Sequence, residues 1–141
     1  YADALRHYER TRDIYERTLD ADHPNVASVL NNIGETQWRL GRLDEAEPLL
    51  RRALAIKQQR LAERDPSVAV TLHALGGVLL ARGDRRGAES HWRRALEIRV
   101  AAYPAGNANI VETARALAEL VRGSGRAAEA DALARRYFPQ G

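Results

Sequence analysis

Apolar residues recur along this chain with helical spacing. Val26, Val29, Leu30 and Ile33 follow the i, i+3, i+4, i+7 pattern of one helix face. Leu43, Ala46, Leu50, Ala53 and Leu54 form a second such stripe shortly afterwards. Between the two stripes stands Gly41, and Gly83 and Gly125 hold corresponding places further on, where a helix ends and a left-handed residue carries little strain. Pro24 and Pro66 fall near helix starts, where a missing N–H is no loss. Glu47–Arg51 and Glu89–Arg93 are i, i+4 pairs with the acid on the N-terminal side, the better orientation. The pattern predicts an all-α chain built from helical hairpins.

A gapless period of 42 residues underlies the pattern, and such a period decides the fold class before any finer reading. Residues 25–56, 67–98 and 109–138 align when shifted by that amount. Ile33, Leu75 and Leu117 stay apolar, and the Arg-Arg pairs 51–52, 93–94 and 135–136 recur. Residues 1–21 match only the second half of the unit, with Ala4 in the Ala46 column and Ile14 in the Ile56 column. The expected organisation is a half-repeat over 1–21, then repeats over 22–63, 64–105 and 106–141.

Two further columns stay small: Gly34, Gly76, Ala118 and, twelve residues later, Ala46, Ala88, Ala130. A glycine inside a helix costs about 1 kcal/mol relative to alanine. Close approach of the two helices across facing small columns would offset that.

These residues carry a family resemblance. The small–Ala–Ala skeleton (Gly34, Ala46, Ala53; Gly76, Ala88, Ala95) resembles the tetratricopeptide repeat. The 42-residue length, Asp22-His23-Pro24, the run Leu30 to Gly34 and the run Gly41 to Leu49 resemble its kinesin-light-chain-like subclass. The third unit departs most, with Ala108 in the proline column, Ala118 in the glycine column and Tyr137 where Ala53 and Ala95 stand. The resemblance implies a right-handed α-α superhelix of about seven antiparallel helices. It also implies a concave groove lined by each unit's first helix, which takes an extended peptide or a partner helix. Register then puts Ser28, Asn31, Asn32, Glu35, Trp38 and Arg39 on the groove, followed by Val70, His73, Gly77, Leu80 and Ala81. Glu112, Arg115, Glu119 and Arg122 complete it.

Composition changes this picture little. At 45% hydrophobic and 29% charged, the 141 residues suit a folded chain, and no apolar run approaches the roughly 18 residues that span a bilayer. No membrane association is expected. With neither Cys nor Met, and Tyr1 at its start, the chain reads as an excerpt without disulfides, and the expected setting is the cytoplasm. Its net charge of +3 gathers in the last third, where residues 85–141 hold 10 basic and 6 acidic side chains. That surplus reads as a solvated Arg-rich surface, and nucleic acid is not an expected partner.

Candidate chemistry is that of binding. Asn31 and Asn32 can pair with a peptide backbone, or else hydrogen-bond a neighbouring helix or solvent. Trp38 is either a ligand platform or a side chain packed on the helix at residues 2–18. Trp92 belongs to the core or the convex surface. Arg39, Arg115 and Arg122 could hold a carboxylate, unless Glu112 and Glu119 pair with the last two. Some family members clamp a C-terminal dicarboxylate, but Glu35 and Ala74 occupy columns where that clamp needs an amide or a base, so chaperone-tail binding is not expected. His7, His23, His73 and His91 form no metal-ligand spacing, and no nucleophile elbow or phosphate loop is present, so neither cofactor nor catalysis is expected. The expected function is a non-catalytic protein-interaction scaffold. The alternative is a regulatory module that forms a homo-oligomer through exposed solenoid ends.

Overall fold

Three helix starts repeat one device. His23, Asp65 and Asn107 each accept a hydrogen bond from the backbone N–H two residues on, at 3.0, 2.8 and 2.9 Å. Each side chain satisfies one of the donors that a helix leaves unpaired at its first turn. The ends repeat as well. Gly41, Gly83 and Gly125 have φ of +79°, +91° and +82°. The next N–H bonds back to Gln37, Leu79 and Val121 respectively, which is the six-to-one bond of a Schellman turn.

The computed structural model describes residues 1–139. It contains α1 (Ala2–Thr18), α2 (Pro24–Arg39), α3 (Leu43–Arg60), α4 (Pro66–Ala81), α5 (Arg85–Ala102), α6 (Ala108–Gly123) and α7 (Ala127–Tyr137). The helices α2–α3, α4–α5 and α6–α7 form hairpins, each packed on the next, with α1 against α2. The chain is therefore an all-α solenoid. Helix α7 has 11 residues where α3 and α5 have 18. Pro139 explains the stop: it disfavours helical backbone at Phe138, which is extended at φ −83°, ψ 140°.

The helix-interior glycines hold the hairpins closed, through a contact one turn beyond the expected one. A Cβ on Gly34 would stand 2.7 Å from Leu50 Cγ and 3.4 Å from the Ala46 carbonyl oxygen. A Cβ on Gly76 would stand 2.6 Å from Trp92 Cδ1. The small residue thus receives the bulky side chain four positions after the alanine, and Trp92 is core. In the third hairpin the same columns hold Ala118 and Ala134, which both line a hollow between α6 and α7.

Candidate functional site

The first helices α2, α4 and α6 carry every groove candidate, and the structure divides them into buried and exposed sets. Asn31 is only 3% exposed. Its Oδ1 accepts from Thr71 Oγ1 of α4 at 2.8 Å. Thr71 Oγ1 in turn accepts from Lys57 Nζ at 2.8 Å, and Lys57 also donates to the Ser67 carbonyl at 3.0 Å. One repeat later the arrangement returns at positions shifted by 42. Arg99 donates to Thr113 Oγ1 at 2.7 Å and to the Asn109 carbonyl at 3.1 Å. Thr113 Oγ1 lies 3.1 Å from His73 Nδ1. The two steps form a buried polar ladder that runs α3 to α4 to α2, then α5 to α6 to α4. Glu112 Oε1 lies 2.9 Å from Nε2 and as a carboxylate can only accept, so the proton of neutral His73 belongs on Nε2 and Nδ1 accepts from Thr113. Between α1 and α2 the same columns hold Tyr15 and Val29, and that step is apolar.

The ladder was not expected. Of the roles expected for Asn31, the structure shows the hydrogen bond to a neighbouring helix: the side chain is buried and bonded to Thr71 of α4. Lys57, Thr71, Arg99 and Thr113 were not singled out, although each pair stands in one column of the repeat.

Trp38 does not pack on α1. It packs forward on the next hairpin, and a Cβ on Gly77 would stand 2.7 Å from its Cη2 and Cζ2. The Arg39 guanidinium lies 5.7 Å from the centre of the indole ring. Gly77 is correspondingly buried.

The 42-residue columns, the seven helices and this inter-repeat packing are those of one repeat type. A family model described as tetratricopeptide repeat matches residues 1–59 and 67–139. The chain belongs to the tetratricopeptide repeat family. Such repeats generally serve as protein–protein interaction scaffolds and are typically non-catalytic. A Podosopora anserina protein described as a kinesin light chain with nearly identical TPR-like repeats superposes with TM-score 0.85 at 22% identity, over 95% of this chain and 64% of its own. A variant of that protein gives 0.84 at 22%, over 95% and 63%. BtubC (BKLC) from P. vanneervenii gives 0.82 at 23% identity, over 97% and 59%. At that identity the likeness is one of fold. The chain spans about three-fifths of the length of these structures. A search of the curated proteins gives no match.

In this tetratricopeptide repeat chain the remaining candidates stay at the surface. Ser28, Arg39, Val70, Ala81, Glu112, Arg115, Glu119 and Arg122 are exposed, and Asn32, Glu35, Trp38, His73 and Leu80 are half-buried. The charged residues of α6 do not pair with one another. Glu112 pairs with His73 and, at 3.6 Å, with Arg99. Arg122 pairs with Asp131 at 2.5 Å, and Arg115 lies 5.2 Å from the centre of the Phe138 ring.

Burial sets the protonation of the ladder. It pushes the Lys57 ammonium down to about 8, against the opposing pull of Glu35 and Asp65. It raises the Glu35 carboxyl, with Arg39 opposing and Glu112 adding to the rise. It lowers His73, with Glu112 opposing. Away from this face, Arg82 pairs with Asp44 at 2.6 Å and Glu47 at 3.4 Å. Glu89 accepts from Arg126 and Arg93, and chiefly the Arg126 bond holds its carboxyl down at about 2. Among the described residues no helix is long and apolar enough to cross a membrane.

Proposed function

We propose that this chain binds an extended peptide or a partner helix on the face made by α2, α4 and α6, as a half-repeat and three repeats bounded at 21, 63 and 105. The observation that supports this reading is the contrast within equivalent columns. Residues 35, 77 and 119 are Glu, Gly and Glu; residues 39, 81 and 123 are Arg, Ala and Gly; residues 28, 70 and 112 are Ser, Val and Glu. Core columns such as 33/75/117 and 46/88/130 keep their chemistry, whereas these columns of the first helices change it at each step. The middle of the face is small and apolar, with Val70 at 37% exposure, and charged residues flank it on both sides. Asn31 and Gly77 are excluded from the contact set by burial; among the candidates that remain, Asn32, Glu35, Arg39, Val70, Arg115 and Glu119 form its centre. An NMR titration with a peptide selected on this chain should move the amides of those residues; shifts confined to the α3, α5 and α7 surfaces would overturn the reading.

One observation favours a second reading, association through the α1 end. Ile14 is 53% exposed, while Ile56 and Ile98 in the same column are 2% and 3% exposed. A second copy covering α1 would bury Ile14. Light scattering of wild type and Ile14→Glu distinguishes this: a wild-type dimer that the substitution dissociates supports it, and a wild-type monomer at high concentration removes it.

A further inference from the structure

One arginine column runs along the edge of the solenoid, and its last member differs from the others. Arg52, Arg94 and Arg136 are spaced 42 residues apart. Each faces two positions from the preceding helix end and turn: 16 and 21, then 58 and 63, then 100 and 105. At the first step Glu16 pairs with Arg52 at 3.7 Å, and position 21 is Ala. At the second step Glu63 pairs with Arg94 at 3.6 Å, and position 58 is Gln. At the third step both positions are apolar, Val100 and Ala105. The column thus keeps its cation and loses its acid.

A hollow marks the place. At the second step Gln58, Glu63, Val68 and Arg94 line it. Shifted by 42, the same four positions are Val100, Ala105, Ile110 and Arg136, which line a cavity of about 260 Å³ together with Tyr103 and Tyr137. Its wall is mostly apolar, and Val100 is 39% exposed, one of few large apolar side chains so exposed. The Arg136 guanidinium lies 5.2 Å from the centre of the Tyr137 ring. The α5–α6 turn also differs from its counterparts. Gly106 has φ +84°, whereas Asp22 and Arg64 in its column do not enter the left-handed region. All three turns close with the same backbone bond, at 3.0, 3.0 and 3.1 Å, so the change is local to the rim of this hollow.

We propose that this hollow is a second recognition site, which takes an acidic side chain of a peptide partner together with the apolar residue beside it. Arg136 pairs with the carboxylate, and Val100, Ile110 and Tyr103 receive the apolar side chain. The chain's own second step supplies the precedent for the charge, since there a glutamate side chain faces the arginine. The volume lies just below the roughly 300–1,000 Å³ of typical small-molecule sites, which suits a short stretch of peptide better than a free metabolite. The site shares no residue with the α2/α4/α6 face and does not depend on the reading of that face.

The test is an NMR titration of the whole chain with acetyl-leucyl-glutamyl-amide, acetyl-leucyl-glutaminyl-amide and acetyl-leucine. The glutamyl peptide should produce saturable shifts at Val100, Tyr103 and Tyr137. The glutaminyl peptide should bind about tenfold more weakly, the scale of one charge-assisted hydrogen bond. Ala105→Glu restores the acid of the second step and should weaken glutamyl-peptide binding to a similar degree. So should Arg136→Gln, at an exposed position where misfolding is not expected. Equal binding of the charged and neutral peptides, wild-type binding by both variants, or no saturable shift at the three residues would overturn the proposal. Tighter binding of acetyl-leucine than of the glutamyl peptide would also overturn it, because the occupant would then be a chain terminus.

Discussion

Trp38 of one hairpin covers Gly77 of the next, and the indole leaves no room for a side chain there. A Cβ at 77 would stand 2.7 Å from two atoms of the indole, far inside van der Waals contact. Gly77→Ala should therefore destabilise the chain by about 1–3 kcal/mol, the usual range for overpacking. In a Trp38→Ala background the sign should reverse. With the indole gone, alanine at 77 gains up to about 1 kcal/mol from helix propensity alone. Urea unfolding of the four proteins measures the coupling, and an unchanged penalty in the Trp38→Ala background would contradict the contact.

The ladder makes a prediction about threonines that look replaceable by valine. Thr71→Val keeps the shape but removes the acceptor for Lys57 Nζ and the donor to Asn31 Oδ1. Leaving buried polar groups without partners should cost about 1–3 kcal/mol. Thr113→Val should be milder, because His73 is half-buried where Asn31 is fully buried, and Arg99 keeps an ion pair with Glu112 at 3.6 Å besides the Asn109 carbonyl. Chemical denaturation ranks the two, and the reverse order would count against the ladder as described.

His73 links the ladder to pH. Burial lowers its pKa below the ordinary 6.5, so the folded chain holds it neutral where the unfolded chain begins to protonate. Its contribution to stability is fully present above pH 6.5 and is lost as pH falls through the folded value. His73→Asn copies Asn31 of the preceding step and should keep the Thr113 bond without the titration. Between about pH 7 and 5 wild type should lose stability faster than the variant. Parallel pH profiles would show that His73 does not carry this dependence.

Glu89 acts at lower pH. Its carboxyl is held at about 2 against an ordinary 4.5, first by Arg126 and then by Arg93. The stabilisation from these partners is complete above pH 4.5 and disappears as pH falls towards 2. Glu89→Gln should flatten the melting temperature between those pH values, and a profile as steep as that of wild type would contradict the assignment.

The scaffold was legible in the sequence because its periodic part is written in small and apolar residues. Gly41, Gly83 and Gly125 mark every hairpin turn, and each does end a helix in a left-handed conformation. The site was less legible. Register places Asn31 on the groove side of α2, but it does not say how near α4 approaches, and that distance turns the amide from a ligand contact into a ladder member. Trp38 likewise faces the groove by register, and only the bare backbone of Gly77, on another hairpin, lets it fold forward. Both outcomes depend on pairs 40 or so residues apart, one member of which has no side chain or only a threonine hydroxyl. Matching Thr71 with Thr113 and Lys57 with Arg99 would have pointed to the ladder, since each step keeps a hydroxyl in one column and a cation in the other.

Binding on the α2/α4/α6 face is the central claim, and its test should avoid residues that hold the fold. Asn31 and Trp38 pack between hairpins, so their loss would mix folding with binding. Glu35, Arg39 and Arg115 reach the surface of that face without bridging hairpins through any hydrogen bond or ion pair among the described residues. A peptide selected from a random library on the wild-type chain should be titrated calorimetrically against wild type and the triple variant Glu35→Ala, Arg39→Ala, Arg115→Ala. We expect the variant to bind at least about tenfold more weakly, as removal of hot-spot contacts does, with unchanged helicity. Equal affinity for the two proteins would contradict the claim that this face is where the scaffold binds.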